Sequence, residues 1–231
     1  MRFVILFIVL FFNTSFKQIS VLNSALSFYA MEIEKQGFNK LNSSMHYELN
    51  ISYPKVICSK KLDIEHQINL DIQRIMIMAI NNFRAKIIDV KSEKGAMGLS
   101  YLNLDYQVHH NNNGILSISF KKDTYFNGFD GIKIIKMTYN FDSQKNKVIR
   151  LKDLFDDEID YKNAIFNKLK HKYSDIKLKK GVTSNFCVDT KGITFPLDSN
   201  KCKSKHCPEQ VTLTWAEVKD ITKPYVQELG L

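Results

Sequence analysis

Five acids, Asp153, Asp156, Asp157, Glu158 and Asp160, crowd into the stretch "LKDLFDDEIDY". Carboxylates this close could share a divalent cation or divide into a general acid and a general base. A calcium loop of the EF-hand kind needs ligands at alternate positions, a glycine at the sixth and a distal bidentate glutamate. No glycine lies between Phe141 and Tyr161, so the calcium reading fails. From the last of the acids the chain runs on as "DYKNAIFNKLKHKY", with Tyr161, Ile165, Leu169 and Tyr173 on one helical stripe and Lys168, Lys170 and Lys172 near its end. Acids at a helix start and bases at its end complement the helix dipole, each charge contributing roughly 0.3–1 kcal/mol. The acids are therefore expected to serve architecture.

The four cysteines offer a second chemistry. Four allow three connectivities; "CKSKHC" closes a short loop and favours Cys202 with Cys207, which leaves Cys58 with Cys187. A metal held by Cys202, His206 and Cys207 would need a fourth ligand that no neighbour offers, and adjacent His206 and Cys207 lack finger-like spacing. No G-x-S-x-G, H-E-x-x-H, G-x-G-x-x-G or P-loop pattern occurs, so no catalytic, cofactor or metal residue is assigned. Lysines recur at Lys177, Lys179, Lys180, Lys201, Lys203 and Lys205, a face suited to an anionic partner such as an acidic protein or a charged envelope polymer.

The chain opens on "MRFVILFIVLFF", whose apolar run from Phe3 to Phe12 would span only ~15 Å as a helix, half a bilayer core. It reads as the core of a signal peptide over residues 1–25, with no clear cleavage site. No integral membrane segment is expected after its removal, and the mature chain is expected in the periplasm or outside the cell. Arg2 and Lys17 leave with these residues, which hold no acid, so the formal charge falls from +9 to +7. That balance reflects a general enrichment in Lys, Ile and Asn, and with no recognisable motif nucleic acid is not expected as a partner.

The elements that must position these residues are legible in the periodicity. Ile64, Ile68, Ile72, Ile75, Ala79, Phe83 and Ile87 repeat at helical spacing, with Asp63 as a cap and Glu65 in the first turn. "HYELNISYPKV" alternates as a strand ending near Pro54. Leu102, Leu104, Tyr106 and Val108 alternate with Asn103, Asp105, Gln107 and His109, and Leu116, Ile118 and Phe120 repeat the pattern beyond an Asn/Gly turn. That predicts an antiparallel hairpin with one buried and one wet face, His109 and His110 lying solvated at its tip. "IKIIKMTYNF" is a further strand, "VIRL" pairs back after the turn "DSQKNK", and "NFCVDTKGITFPL" and "EQVTLTW" are strands before a short helix from about Ala216.

Several of these words resemble a bacterial extracytoplasmic domain family, RsiV-like or PdaC-like, of mostly unknown function. It is known from the lysozyme-sensing ectodomain of an anti-sigma factor and from the N-terminal, non-catalytic part of a peptidoglycan deacetylase. "YPKV" and "INLDI" look like its first half; "LSISF", "TYFNGFDG", "TYNFDSQKNKVIRLKDLF", "GITFPL" and "VTLTWAEVKD" look like its second. The most specific piece is Tyr-Asn-Phe-Asp, a polar turn and Leu-x-Asp-Leu-Phe. The family's Gly-Gly-Ala-His stretch is replaced by Asn127, Gly128, Phe129 and Asp130, and its segment before the last strand by "DSNKCKSKHCPEQ". The resemblance implies an α+β fold, antiparallel sheet packed against a long N-terminal helix and a second helix, in a single compact domain of two halves, 44–123 and 124–225. It implies an exported, non-enzymatic cell-envelope module that binds a protein or glycan. The alternatives are an envelope-polymer hydrolase or other enzyme, or a structural or adhesive secreted protein.

Overall fold

The computed structural model describes residues 31–58, 61–94, 98–129, 131–198, 200–202 and 207–229. The signal-peptide segment, Lys203, Lys205 and His206 lie outside the described residues. The described residues begin with two long strands, β1 (Glu32–Asn42) and β2 (Tyr47–Ile57), joined by a turn with His46 at φ 49°. Helix α1 (Leu62–Lys94) comes next, then β3 (Ser100–Asn112), β4 (Ile115–Tyr125), β5 (Lys133–Asp142) and the two-residue β6 (Lys147–Val148). These six strands form one sheet in chain order, antiparallel except where β2 and β3 run parallel on either side of the α1 connection. The hairpin turn between β3 and β4 places Asn113 and Gly114 at φ 51° and 77°, the twist-matched conformation that asparagine and glycine tolerate best.

Ile64, Ile68, Ile72, Ala79, Phe83 and Ile87 of α1 pack on one face of this sheet, against Leu49, Ile51, Leu102, Leu104, Leu116, Ile118, Phe120 and Phe141. The helix starts one residue before Asp63, so Asp63 sits in the first turn. Glu65 reaches back to accept the Cys58 N–H at 2.8 Å. Asn69 bonds both the N–H and the C=O of Val56, at 2.9 and 2.8 Å, and so occupies the β2 edge where β3 no longer pairs with it.

The C-terminal part forms a second core on the opposite face. Helices α2 (Leu151–Leu154) and α3 (Tyr161–Lys172) lead to β7 (Cys187–Val188), β8 (Gly192–Pro196) and β9 (Gln210–Thr214), a three-stranded antiparallel sheet, then short α4 (Trp215–Val218) and α5 (Tyr225–Glu228). Ile165 and Leu169 of α3 are buried with Val188, Phe195, Val211 and Leu213. A Cβ at Gly192 would run into the Leu213 carbonyl, so only glycine permits this β8–β9 approach. A polar seam fixes the second core to the first. Ser117 Oγ donates to Asn140 Oδ1 at 2.7 Å and accepts from Val188 N–H at 3.0 Å, and Asn140 Nδ2 donates to the Phe186 carbonyl at 2.8 Å.

Two expectations are corrected here. Cys202 and Cys207 form a disulfide, with Cα atoms 6.0 Å apart, but Cys58 and Cys187 are free, buried thiols. They belong to different layers: Cys58, just after β2, lies in the core under α1, while Cys187 is on β7 of the three-stranded sheet, on the other side of the large sheet beside Ser117. His109 and His110 are not at a solvated tip. A bulge between Val108 and His110 turns both toward the second core; His109 Nε2 lies 2.8 Å from Ser119 Oγ, and His110 is 7% exposed.

Candidate functional site

Four of the five acids of the 151–161 stretch have structural partners. Asp160 caps α3 through the Asn163 N–H, Asp153 accepts the Arg150 N–H at 2.7 Å, Asp156 accepts the Glu158 N–H at 3.0 Å and Asp157 pairs with Lys223 at 2.6 Å. Among the described residues no three His, Cys, Asp or Glu side chains group as a metal site.

The lysine face is partly assembled. An isolated bridge between Leu178 and Cys202, with the Lys179 N–H donating to the Lys201 carbonyl at 2.9 Å, brings Lys177, Lys179 and Lys180 beside Lys201. Lys201 itself turns inward: its ammonium donates to Ser184 Oγ at 2.7 Å and pairs with Asp198 at 3.4 Å, leaving the side chain 11% exposed. Farther along, Lys168 and Lys172 are matched by Asp220 and Glu217 at 3.0 and 2.8 Å. These lysines hold both carboxyls below their ordinary range, chiefly by direct hydrogen bonds.

A broader surface emerges on the wet side of the large sheet. The second core covers the β4–β5 part of this side and leaves the part toward β1, β2 and β3 open. Because side chains alternate, register alone assembles cross-strand rows there. One row runs Asn39, Asn50, Asn103, Asp123, Ile134 across five strands. Asn50 Nδ2 donates to Asn103 Oδ1 at 3.0 Å. The next row runs Leu41, Glu48, Tyr101, Tyr125, and the two tyrosine rings stack with centroids 5.5 Å apart and planes 25° from parallel. Charges on this face are matched: Lys35 lies 3.9 Å from Asp105 and Lys121 lies 3.6 Å from Asp123. Among the described residues Asp123 Oδ1 is covered and has no hydrogen-bond partner, an arrangement that is normally costly.

The face ends at a wall formed by the segment after β8. Lys121, Ile134 and Lys136 make the floor, and Asp198, Cys207, Pro208 and Glu209 the side, of a cavity of about 140 Å³. Lys136 ties wall to floor. Its N–H donates to Asp198, its carbonyl accepts from Asn185 Nδ2 at 2.6 Å, and its ammonium pairs with Glu209 at 3.3 Å. That bond holds the Glu209 carboxyl below its usual range. The disulfide ties Cys207, on the side of this cavity, to Cys202. A second cavity, about 200 Å³, lies between Tyr53, Pro54 and Asn69, where β2 leaves β3. Asn103, Asp105 and Gln107 were visible in the sequence as a wet face, but Asn50, Tyr101, Asp123 and Tyr125 were not. The signal that could have found them is the hairpin register, once the bulge is counted.

The architecture is an α+β domain whose large sheet is backed by a long helix on one side and keeps an open polar face on the other, with small cavities at its margins. A family model described as "Deacetylase PdaC" matches residues 41–132. The peptidoglycan-N-acetylmuramic acid deacetylase PdaC of Bacillus subtilis is 24% identical over 198 residues, which cover 79% of this chain and 40% of that protein. This chain therefore spans well under half of that relative's length. Two crystal structures of DUF3298 family proteins share the fold. One, from Bacteroides fragilis, has a TM-score of 0.58 at 14% identity, covering 87% of this chain and 97% of the other. One from Pseudomonas aeruginosa has a TM-score of 0.60 at 15% identity, covering 86% and 97%. These findings show a PdaC-like domain over residues 41–132 and the fold of the DUF3298 proteins across most of the chain. Its disulfide is consistent with an extracytoplasmic domain, and no helix among the described residues is long and apolar enough to cross a membrane.

Proposed function

We propose that this chain is an exported, non-catalytic module of the cell envelope that binds an envelope protein or glycan. The observation that carries the reading is the open face of the large sheet, a polar surface over β1, β2 and β3 that reaches Asp123 and a stacked tyrosine pair at its β4 border. The flanking cavities, about 140 and 200 Å³, are smaller than the ~300–1,000 Å³ typical of pockets that engulf a small substrate. Similarity to a protein named as a peptidoglycan deacetylase supports an envelope setting, and the apolar run at Phe3 to Phe12 supports export through a signal peptide. The strip of Lys177, Lys179 and Lys180 supports an anionic partner less strongly, since Lys201 is drawn inward.

The test is retention of the purified chain on two envelope fractions, protease-treated wall polymer and detergent-extracted envelope proteins, with the supernatant assayed for released acetate and new reducing ends. Retention by one fraction without release is expected. Failure to bind either, or steady release of acetate or reducing ends, overturns the reading.

A further inference from the structure

We infer that the open sheet face binds an uncharged glycan strand bearing hydroxyl and acetamido groups, Tyr101 and Tyr125 packing against sugar rings and Asn50, Asn103 and Asp123 hydrogen-bonding them. This rests on the binding role proposed above and names its ligand class. A sugar ring presents C–H groups on one face and hydroxyls around its rim. The C–H groups suit the electron-rich face of a tyrosine. The Tyr101–Tyr125 stack is half-buried, so an aromatic pair lies directly beside the amide row.

The hydrogen-bonding inventory of that row fits the same ligand. The bond from Asn50 Nδ2 to Asn103 Oδ1 leaves the Asn50 carbonyl as an acceptor and the Asn103 amide as a donor, a pair complementary to a hydroxyl or an acetamido group. Next in the row, Asp123 has one oxygen in a loose 3.6 Å pair with Lys121 and the other with no hydrogen-bond partner among the described residues. A buried acceptor without a donor is rare. A ligand hydroxyl or amide N–H supplies that donor once Lys121, whose side chain is 38% exposed, swings aside. Anionic polymers fit poorly, because Glu48, Asp105 and Asp123 lie on the face and Lys35, Lys121 and Lys136 are each engaged by a carboxylate. The open row from Asn39 to Asp123 crosses three strand spacings of ~4.8 Å, or ~14 Å, enough for more than one linked ring.

The test titrates the full chain with the tetramer of N-acetylglucosamine and, in parallel, with polygalacturonate. The tetramer is expected to bind with an affinity that is flat as salt rises. Tyr101→Ala and Asn103→Ala should each weaken it about threefold to tenfold while Tyr101→Phe changes it little. Should Tyr101→Ala fail to fold, Asn103→Ala carries the same comparison. No tetramer binding by a chain that the envelope fractions still retain overturns this inference and leaves the binding role standing; loss of retention on every fraction overturns both. Tetramer binding indifferent to Tyr101→Ala and Asn103→Ala in folded variants, or preferred, salt-sensitive binding of polygalacturonate, also overturns the inference.

Discussion

Asp142 and Asp157 lie fifteen residues apart in one acidic, lysine-rich segment, and their surroundings give them opposite weight. Asp142 is 1% exposed and accepts from the Tyr225 hydroxyl at 2.6 Å and the Gln144 and Lys145 N–H groups at 2.8 and 3.0 Å. Lys145 and Lys147 lie over the Tyr225 ring at 4.1 and 4.7 Å, completing the clasp of α5 onto the end of β5. Asp142→Ala strands three donors and should cost roughly 2–4 kcal/mol. Asp157→Asn loses one exposed ion pair and should cost less than about 1 kcal/mol. Urea midpoints decide this, and equal losses would refute the distinction. The thiols give a second expectation at this scale. Burial pushes Cys187 up to about 12 and also raises Cys58, so neither forms the thiolate that reacts. Native protein at pH 8 should resist a thiol reagent, and denatured, unreduced protein should release two reactive thiols. Fast native labelling, or no thiols after unfolding, would contradict the structure.

At the scale of the element, the β3 bulge couples the hairpin to the second core and gives it a pH response. Burial lowers both His109 and His110 below the ordinary imidazole range; Asp189 opposes this for both, and Lys136 reinforces it for His109. The unfolded chain, with histidines near pH ~6.5, takes up protons first as the pH falls. The stability from these residues is therefore fully present above about pH 6.5 and is lost as pH drops through their lower folded-state values. The depressed carboxyls of Glu209, Glu217 and Asp220 act in the same direction, only below about pH 4.5. Thermal melting should thus fall between pH 7 and pH 5, and a His109→Gln, His110→Gln double variant should flatten that limb. A profile already flat in the unaltered chain would reject the assignment.

At the scale of the molecule, charge sets which partners can approach. A chain at +9, or +7 without its first 25 residues, repels a basic lysozyme at long range, although a Debye length of ~8 Å in physiological salt limits the effect. Lysozyme is the ligand that the sequence resemblance raises, and the exposed carboxylates that could recruit it, such as Asp157 and Asp220, are each already shared with a lysine. Binding to a basic lysozyme should be weaker than about 0.1 mM at physiological salt. Tight binding by calorimetry, insensitive to salt, would overturn that expectation.

Local physics made much of this fold readable in advance. The stripe from Ile64 to Ile87, the alternation from Leu102 to Phe120, and the acid-to-lysine gradient along α3 each depend on neighbours a few residues away, so periodicity determined α1, the β3–β4 hairpin and the second helix. Cys202 and Cys207 are close in sequence, and their bridge was legible for the same reason. Strand β1 escaped notice because an edge strand buries little, and "EIEKQGFNKLN" shows no apolar alternation. The fates of Cys58, Cys187, His109 and His110 were decided by which side of the sheet each residue reached, a long-range matter. The candidate site depends on a single inserted residue. Counting outward from the Asn113–Gly114 turn, Asn112 pairs with Ile115 and Asn111 with Leu116, a register that would set Tyr101 opposite Phe126. The bulge at His109 shifts the pairing by one, bringing Tyr101 against Tyr125 and Asn103 against Asp123. Composition and periodicity determined that this strand had a wet face; only the packing of the second core against β3 and β4 decided which residues that face gathers.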